Sequence, residues 1–345
     1  MDIHLEIHNS DNVNTEELLT LSCNSLMHYT PQYLEFLSRV LINVEVAYLV
    51  ARYHGELKGL LPLAICNDSN MGTVINSLPF FGSHGGPIVV DRDNSKQINL
   101  DLLHAFKELA IERQSRSATL IENPFHPLDD ILIAASGGSV VDDRIGQFTR
   151  LPQGKSDIEE ALFSSIHVKT RNAIRKGQKY GQRILRRTDS PAIEWLQKVH
   201  EQSIQALGGI AKPLNIFQTL MDIFDDKARV YIGECDNQPT SGLFVILYGN
   251  TVEYFTPVIE SEFKNKQLLS SLIFSVMADL TREGYSVWNW GGTWRSQEGV
   301  YRFKKRWGAQ DYPYRYLNQV MDPDFKFQSK NALVKSFPFF YLFKY

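Results

Sequence analysis

The chain has 345 residues, of which 43% are hydrophobic and 22% are charged, a composition typical of a soluble globular protein with about two domains. Its formal net charge of −3 excludes a protein that coats nucleic acid over its whole surface, although a local basic patch stays open.

Residues 46–123 are predicted to form a first α/β unit. Apolar and β-branched runs at 46–51, 57–65 and 73–78 favour three strands, and residues 119–121 favour a fourth that closes the unit. A helix is predicted before the closing strand, because apolar residues recur there at helical spacing: Leu100, Leu102, Leu103, Phe106, Leu109 and Ala110.

A loop rich in glycine and proline, residues 77–87, follows the third strand. Such a loop predicts either backbone amides that approach a ligand closely or a turn that needs a positive φ. It contains His84, which is a candidate substrate-binding residue or an incidental histidine.

A basic stretch at residues 167–187 lies in a predicted helical region. On a helix, Arg171, Arg175 and Lys179 would share one face, where like charges repel unless an anion binds. That anion would be a phosphate, a nucleotide diphosphate, an RNA backbone or an acidic membrane surface. The alternative is a solvated face that acids elsewhere neutralise. The stretch holds eight basic and no acidic residues: Lys169, Arg171, Arg175, Lys176, Lys179, Arg183, Arg186 and Arg187.

Residues 228–291 are predicted to repeat the first unit. Tyr48 and Gly59 recur at constant spacing as Tyr231 and Gly242, within the same order of strands and helix. A duplicated α/β fold is therefore expected. The second helix is marked by a long apolar stripe: Leu268, Leu269, Leu272, Ile273, Val276, Met277 and Leu280.

The segment from 288 to 308 is the most informative for chemistry. A strand runs into Gly291-Gly292, and a helix is predicted from Glu298, with Val300, Phe303 and Trp307 on an apolar face. Lys304 flanks that face, so it would be partly buried and would either hold a developing negative charge or snorkel over the aromatic rings.

Other residues near this segment are candidates with two interpretations each. Glu298 is either a helix N-terminal acid or a general base, and Tyr254 is either a half-buried strand residue or a substrate-positioning hydroxyl. The segment also contains four tryptophans, which would suit either stacking on a sugar or packing in a core: Trp288, Trp290, Trp294 and Trp307. Of these, Trp290 and Trp294 are candidate substrate-binding residues.

Several classes of site and location are not predicted. The widely separated Cys23, Cys66 and Cys235 support neither a disulfide framework nor a zinc ribbon, and the scattered histidines indicate no metal site. No apolar run reaches the ~20 residues of a membrane span, and the first residues lack a signal-peptide pattern. We expect a cytoplasmic protein, with the basic and aromatic tail at 330–345 either contacting the inner membrane face or packing on the first domain.

Three segments, residues 168–177, 288–293 and 298–309, together resemble the Fem-type aminoacyltransferases and their FemAB-like relatives. The resemblance covers roughly residues 45 to 315. It implies an α/β (α+β) fold of two tandem GNAT-like domains, each a mixed, mainly antiparallel sheet flanked by helices. The expected domains are 1–150, joined by a tail at about 315–345, and 151–314.

The resemblance also implies acyl transfer to an amine. The family's Phe-Lys pair falls on Phe303 and Lys304, where the lysine stabilises the reacting acyl centre, and its precursor-binding Arg and Tyr fall near Arg175 and Tyr254. An acid common in the family is replaced by Asn289.

The acyl donor is left open between aminoacyl-tRNA, acyl-CoA and an acyl carrier protein, and no permanently bound cofactor is expected. The turn before the second long helix lacks the glycine of a standard CoA site, but Lys264 and Lys266 could hold phosphate by charge.

The leading hypothesis is an N-acyltransferase of cell-envelope biosynthesis. Its acceptor would be an amine of a peptidoglycan precursor or of an amino sugar in a surface polysaccharide, linked to a nucleotide or a lipid. The alternatives are an acyl-CoA-dependent sugar N-acyltransferase and a non-catalytic binding protein with the same duplicated fold.

Overall fold

A computed structural model describes residues 3–8, 14, 18–19, 26–80 and 84–343. Cys23, Lys344 and the loop residues Phe81, Gly82 and Ser83 therefore lie outside the described residues. Contacts divide the chain into unit 1, Met1–Arg144 with Pro313–Tyr345, and unit 2, Ile145–Tyr312.

Unit 1 is built on a mixed sheet with the strand order β1-β2-β3-β4-β6-β13, and β5 pairs with β3. The sheet is antiparallel except at one place, where Val74–Asn76 run parallel to Ser117–Thr119. The crossover between these two strands contains α2, whose apolar stripe packs on the sheet, as the sequence predicts. The elements are β1 (Ile3–His8), α1 (Pro31–Val40), β2 (Val44–Tyr53), β3 (Glu56–Asp68), β4 (Gly72–Asn76), β5 (Ile88–Val89), α2 (Ser95–Glu112), β6 (Ser117–Ile121), α3 (Asp130–Ala135), β7 (Ser139–Arg150), β13 (Gln310–Val320) and α10 (Lys330–Ser336).

Unit 2 repeats this plan with the strand order β12-β11-β10-β9-β8. The pairs are antiparallel except that Thr251–Glu253 run parallel to Val287–Asn289. The crossover contains α8, which is buried against the sheet in the largest core cluster of the unit. The elements are α4 (Ile158–Ser165), α5 (Val168–Gln178), β8 (Arg183–Arg187), α6 (Ser190–Gln205), α7 (Leu214–Phe224), β9 (Ala228–Cys235), β10 (Gln238–Tyr248), β11 (Thr251–Ile259), α8 (Leu268–Arg282), β12 (Val287–Trp294) and α9 (Glu298–Arg306).

The order strand, hairpin, strand, helix, strand thus occurs twice, as β2-β3-β4-α2-β6 and as β9-β10-β11-α8-β12. The predicted fold class is confirmed: each unit has a mixed, mainly antiparallel sheet with helices. β7 and β13 each cross a boundary between the units, and the expected domain limits after residues 150 and 314 lie close to these boundaries.

The C-terminal segment belongs to unit 1. The Thr119 hydroxyl donates to the Tyr341 carbonyl at 2.8 Å, and the Ser117 hydroxyl donates to the Leu342 carbonyl at 2.8 Å. Phe337 and Leu342 are buried, so the tail packs on unit 1, which is one of the two alternatives that the sequence left open; contact of the tail with a membrane stays a prediction. Within the described residues, no helix has both the length and the apolar character needed to cross a bilayer.

Candidate active site

The candidate site lies in unit 2, where two parallel strands separate. The paired register of β11 and β12 ends at Glu253 and Asn289, so the strands part beyond these residues. Tyr254 and Trp290 follow directly, with ring centroids 4.8 Å apart. A gap between parallel strands is a place where a ligand can reach backbone groups and side chains that a closed sheet would cover.

A buried carboxylate stands at this point. Glu253 is 8% exposed, and its Oε2 accepts a hydrogen bond of 2.6 Å from the Asn289 amide. The Asn289 Oδ1 in turn accepts from the Gly291 amide at 2.8 Å, so the side-chain amide is fixed at both ends. Burial raises the pKa of Glu253 to about 8, although the Asn289 hydrogen bond and the Lys304 charge lower it in part.

Lys304 reaches the same strand from helix α9. Gly291 has a φ of +72°, which distorts the end of β12 and turns two carbonyls toward the lysine. The ammonium donates to the carbonyls of Gly291 at 3.2 Å and Gly292 at 3.1 Å and to the Thr293 hydroxyl at 2.8 Å. All three N–H donors of the ammonium therefore have acceptors.

The electrostatics of Lys304 follow from its burial. The residue is 6% exposed, and burial lowers its pKa to about 8, while the charge of Glu253 raises it. The Thr293 hydroxyl also donates to Gln147 at 3.0 Å, which ties the lysine to β7. Lys304 is thus buried, as its position beside the apolar face predicts.

The rest of that helix face differs from the prediction. Val300 is 43% exposed and Phe303 is 37% exposed, so only Trp307 of the three predicted apolar residues enters the core. Helix α9 is short and very polar, and two anchors, Lys304 and Trp307, hold it against unit 2.

Two predicted site residues line a separate surface cavity of about 330 Å3. Glu298 is exposed there at the start of α9 and pairs with Arg302, so a role as general base is not supported by its surroundings. Trp294 is 40% exposed, and its role in substrate binding stays a prediction. The lining is Ile145, Trp294, Arg295, Glu298, Tyr301 and Arg302.

The other tryptophans are core residues. Trp290 is 3% exposed, and its indole N–H donates to the Thr149 hydroxyl at 2.8 Å, so its ring packs in the core and its contact with substrate stays a prediction. Trp288 and Trp307 are fully buried in the same cluster.

The two halves of the basic stretch, β8 and α5, differ in their ion pairs. In β8, Arg183 pairs with Glu234 at 2.7 Å and Arg187 pairs with Asp189 at 2.6 Å. Acidic side chains at the surface therefore neutralise these two arginines, as the alternative interpretation expects. In α5, Arg171 donates to the Phe163 carbonyl at 3.4 Å.

The remainder of the α5 cations face solvent. Arg175 lies 5.3 Å from the Phe163 ring, and Lys179 is exposed just after the helix. Within the part of the chain that the structure describes, no basic residue of this helix forms an ion pair. That part leaves out residues 9–13, 15–17, 20–25 and 81–83 and the two ends of the chain. The amide of His167 donates to the Arg306 carbonyl at 2.9 Å, so α5 starts where α9 ends.

Lys264 and Lys266 lie on a 3-10 turn, Ser261–Lys266, directly before α8. Lys264 is exposed, but the Lys266 ammonium already lies 4.8 Å from the Phe263 ring and 5.3 Å from the Tyr180 ring. Helix α5 also covers this end of α8 closely, because a Cβ on Gly177 would lie 2.5 Å from the Gln267 carbonyl oxygen.

The glycine-rich loop and His84 are in unit 1. A Cβ on Gly85 would lie 2.9 Å from the Leu78 amide nitrogen, and one on Gly86 would lie 2.8 Å from the Asn123 amide nitrogen. These two glycines therefore serve close packing between chain segments rather than a ligand cradle. His84 is fully buried.

Glu253 is the functional candidate that the sequence reasoning missed. The sequence shows an acid next to Tyr254 within an otherwise apolar strand. A functional role for this acid could be inferred only from the strand register, which places Glu253 opposite Asn289. Among the described residues, no cluster of three or more His, Cys, Asp or Glu side chains could hold a metal ion.

Comparison with known proteins agrees with this architecture. Residues 165–305, which contain Glu253, Asn289 and Lys304, match the family model of the acetyltransferase (GNAT) domain. No curated protein matches the sequence significantly.

Several solved structures are similar to the chain at low identity. FemX has 14% identity and a TM-score of 0.71, with 98% of this chain and 100% of that chain covered. A tandem GNAT protein from the clavulanic acid biosynthesis pathway has 11% identity and a TM-score of 0.56, with 92% and 98% covered. L-PGS from Bacillus licheniformis has 12% identity and a TM-score of 0.54, with 95% and 96% covered.

The structural similarity shows a shared fold, and the family model places an acetyltransferase (GNAT) domain at residues 165–305. The resemblance inferred from the sequence is confirmed: the chain has a FemAB-like tandem GNAT fold, and residues 165–305 form an acyltransferase domain of the GNAT type.

Proposed function

We propose that the protein transfers an acyl or aminoacyl group to the amine of a cell-envelope precursor, with the reaction centred on Glu253. The observation that carries the proposal is the buried Glu253–Asn289 pair, which stands beside Lys304 where β11 and β12 separate. The names of two similar structures, FemX and L-PGS, support an aminoacyl donor and an envelope acceptor.

The first step needs a base. The acceptor amine attacks the acyl carbonyl, an N–C bond forms, and the Glu253 carboxylate takes the amine proton. A carboxylate with a pKa near the working pH is a stronger base than an exposed glutamate and still gives the proton up. Asn289 orients the carboxylate by donating to Oε2 and leaves the other oxygen, Oε1, for the amine.

The second step releases the donor. The tetrahedral intermediate collapses, the bond between the carbonyl carbon and the leaving oxygen or sulfur breaks, and the leaving atom takes a proton from Glu253. The positive charge of Lys304 stabilises the oxyanion of the intermediate at short range, in a buried region where charges are poorly screened. Its three hydrogen bonds hold that charge in place before the substrate arrives.

The basic residues of α5 that face solvent favour a polyanionic donor or acceptor. They include Arg175 and Lys176, whereas Arg302 on α9 pairs with Glu298. The turn before α8 has no glycine and is closely covered by α5, which makes a standard CoA site the less favoured alternative.

A matched assay of donors and acceptors tests the proposal. Purified protein is incubated with aminoacyl-tRNA or with acetyl-CoA, each with a nucleotide-linked muramyl peptide or a nucleotide-linked amino sugar, and amide products are measured by mass spectrometry. We expect an amide from aminoacyl-tRNA, and we expect Glu253→Gln to form it about 10²–10⁴-fold more slowly. Amide from acetyl-CoA alone would favour the sugar N-acyltransferase, and binding without any product would favour a non-catalytic protein.

A further inference from the structure

A loop of unit 2, residues 206–213, connects α6 to α7 and brings Lys212 onto the sheet. The Lys212 ammonium lies 4.8 Å from the centre of the Phe255 ring and donates to the Thr256 hydroxyl at 3.4 Å. Both of these residues belong to β11, the strand that carries Glu253. The reaction steps proposed above do not use this lysine.

An irregularity in β11 places Lys212 on the same face of the sheet as Glu253. Side chains alternate between the two faces of a regular strand, so residues three apart, such as Glu253 and Thr256, would point to opposite faces. In β11, however, Glu253 pairs with Ile246 of β10 and Thr256 pairs with Phe244, because the register shifts between these pairs. Ile246 and Phe244 are two positions apart and share a face, so their partners share that face as well.

The same register sets the distance between the two groups along the sheet. Two residues of an antiparallel strand span roughly 7 Å, so Glu253 and the Thr256 side chain that Lys212 contacts are separated by about that length. A molecule that reaches both groups would therefore carry its two interacting ends at a similar separation.

Two local features position the backbone of Lys212. Its amide donates to Nε2 of His200 on α6 at 3.1 Å, and the following Pro213 disfavours helical backbone at Lys212. His200 is 7% exposed, and burial together with the Lys212 charge lowers its pKa to about 4, so the ring is neutral at pH 7 and accepts this bond. The lysine is thus held at its backbone and at its ammonium group.

The surface around Lys212 is open to a ligand. Lys212, Tyr254 and Phe255 are each half-buried, and Leu207 and Ile210 of the loop are 82% and 67% exposed. Burial lowers the pKa of Lys212 to about 8, so the ammonium form still predominates at pH 7. A half-buried ammonium is less screened by water than a surface lysine and attracts an anion more strongly.

We propose that Lys212 binds a carboxylate of the acceptor and thereby places the acceptor amine at Glu253. This inference rests on the proposed function and deepens it. The acceptor is an amine with a free carboxylate at the other end of a short extended chain, as in a diamino acid. A carboxylate suits the site better than a phosphate, because a dianion would add excess negative charge beside the ionised Glu253.

The first experiment measures binding alone. Nα-acetyl-lysine and Nα-acetyl-lysinamide differ only in the carboxylate, and each is titrated into the full-length protein by saturation-transfer NMR. We expect the wild type to bind the carboxylate form at least tenfold more tightly and Lys212→Gln to lose that preference. Lys198→Gln is the matched control, because Lys198 is exposed on α6, and it should keep the preference of the wild type.

The second experiment measures turnover of the same two acceptors with aminoacyl-tRNA as donor. We expect Lys212→Gln to raise KM for the carboxylate acceptor at least tenfold, with a smaller change in kcat, and to leave KM for the amide acceptor unchanged. A merely structural defect would affect both acceptors alike. Lys212→Arg keeps the charge and should retain most of the preference.

The outcomes separate this inference from the proposed function. Amide formation with no preference for the carboxylate acceptor in the wild type, or with an undiminished preference in Lys212→Gln, would overturn the role of Lys212 and leave acyl transfer intact. Inorganic phosphate displacing Nα-acetyl-lysine more effectively than acetate does would also overturn it. Carboxylate-selective binding that depends on Lys212 but gives no amide would support the binding site and contradict the proposed reaction.

Discussion

At the scale of single residues, the proposed reaction depends on the opposed protonation states of Glu253 and Lys304. Glu253 must be ionised to accept a proton, whereas Lys304 must be protonated to stabilise an oxyanion. The pKa of each is about 8, raised by burial in one case and lowered by burial in the other. One low-polarity environment therefore brings both groups into the range where small pH changes alter activity.

The first prediction concerns pH. We expect the rate of amide formation to follow a bell-shaped curve with its maximum near pH 8, because Glu253 loses its proton on the acid limb and Lys304 loses its proton on the alkaline limb. Initial rates across the pH range measure it. A profile that is flat from pH 6 to pH 10 would contradict both assignments.

The second prediction concerns the stability of Glu253→Gln. The pKa of Glu253 is higher in the folded than in the unfolded protein, so wild-type stability falls as the pH rises from about 4.3, the usual pKa of a glutamate, to about 8. We expect Glu253→Gln to melt at a higher temperature than the wild type at pH 8, with the difference vanishing near pH 4. A variant that is less stable at pH 8 would show that the carboxylate is not penalised by burial.

The third prediction concerns Lys304. Lys304→Met should lower the rate by about 10²–10³-fold, since it removes a positioned charge from the site. Lys305→Met is the matched control, because Lys305 is exposed on the next position of α9 and pairs with Asp311 at 3.4 Å. Equal losses in the two variants would show that general positive charge, rather than the buried position of Lys304, matters.

At the scale of elements, α5 packs closely on the first turn of α8. Gly177→Ala would place a Cβ 2.5 Å from the Gln267 carbonyl, so we expect it to lower the free energy of unfolding by about 1–3 kcal/mol. Gly299→Ala, on α9 with open space around it, should instead be neutral or stabilising by up to about 1 kcal/mol. Denaturant unfolding of both variants measures the contrast, and equal effects would exclude a close helix contact.

The elements also show what the sequence could and could not predict. The apolar stripes of α2 and α8 predicted two buried helices because their spacing is a local property. The face of α9 was predicted wrongly in part, since Val300 is 43% exposed and Phe303 is 37% exposed, although the Phe303 ring packs against Trp290 and Trp307. The meaning of Glu253 could not be predicted, because it depends on the register of β11 against β12.

At the scale of the whole molecule, the two units share one order of strands and helix but differ at the end of the parallel strand pair. In unit 2 the residues at the end of the parallel pair, Glu253 and Asn289, bond to each other and border the candidate site. In unit 1 the corresponding position on β6, Thr119, bonds to the C-terminal segment. The duplication was visible in the sequence, but this difference depends on contacts between residues over 200 positions apart.

The fourth prediction concerns that C-terminal segment. Leu342 is fully buried in unit 1, so we expect Leu342→Ala to lower the free energy of unfolding by about 2–5 kcal/mol. Phe327→Ala is the control, because Phe327 is 84% exposed and its loss should change stability by at most about 0.5 kcal/mol. A Leu342→Ala variant as stable as the control would mean that the segment is not part of the fold.

The most direct test of the central claim is the single-turnover rate of amide formation at pH 8 for wild type and Glu253→Gln, with aminoacyl-tRNA as donor and a nucleotide-linked muramyl peptide as acceptor. We predict that the glutamine variant stays folded, binds both substrates and forms amide about 10²–10⁴-fold more slowly. A folded Glu253→Gln variant with the wild-type rate would contradict the assignment of Glu253 as the base.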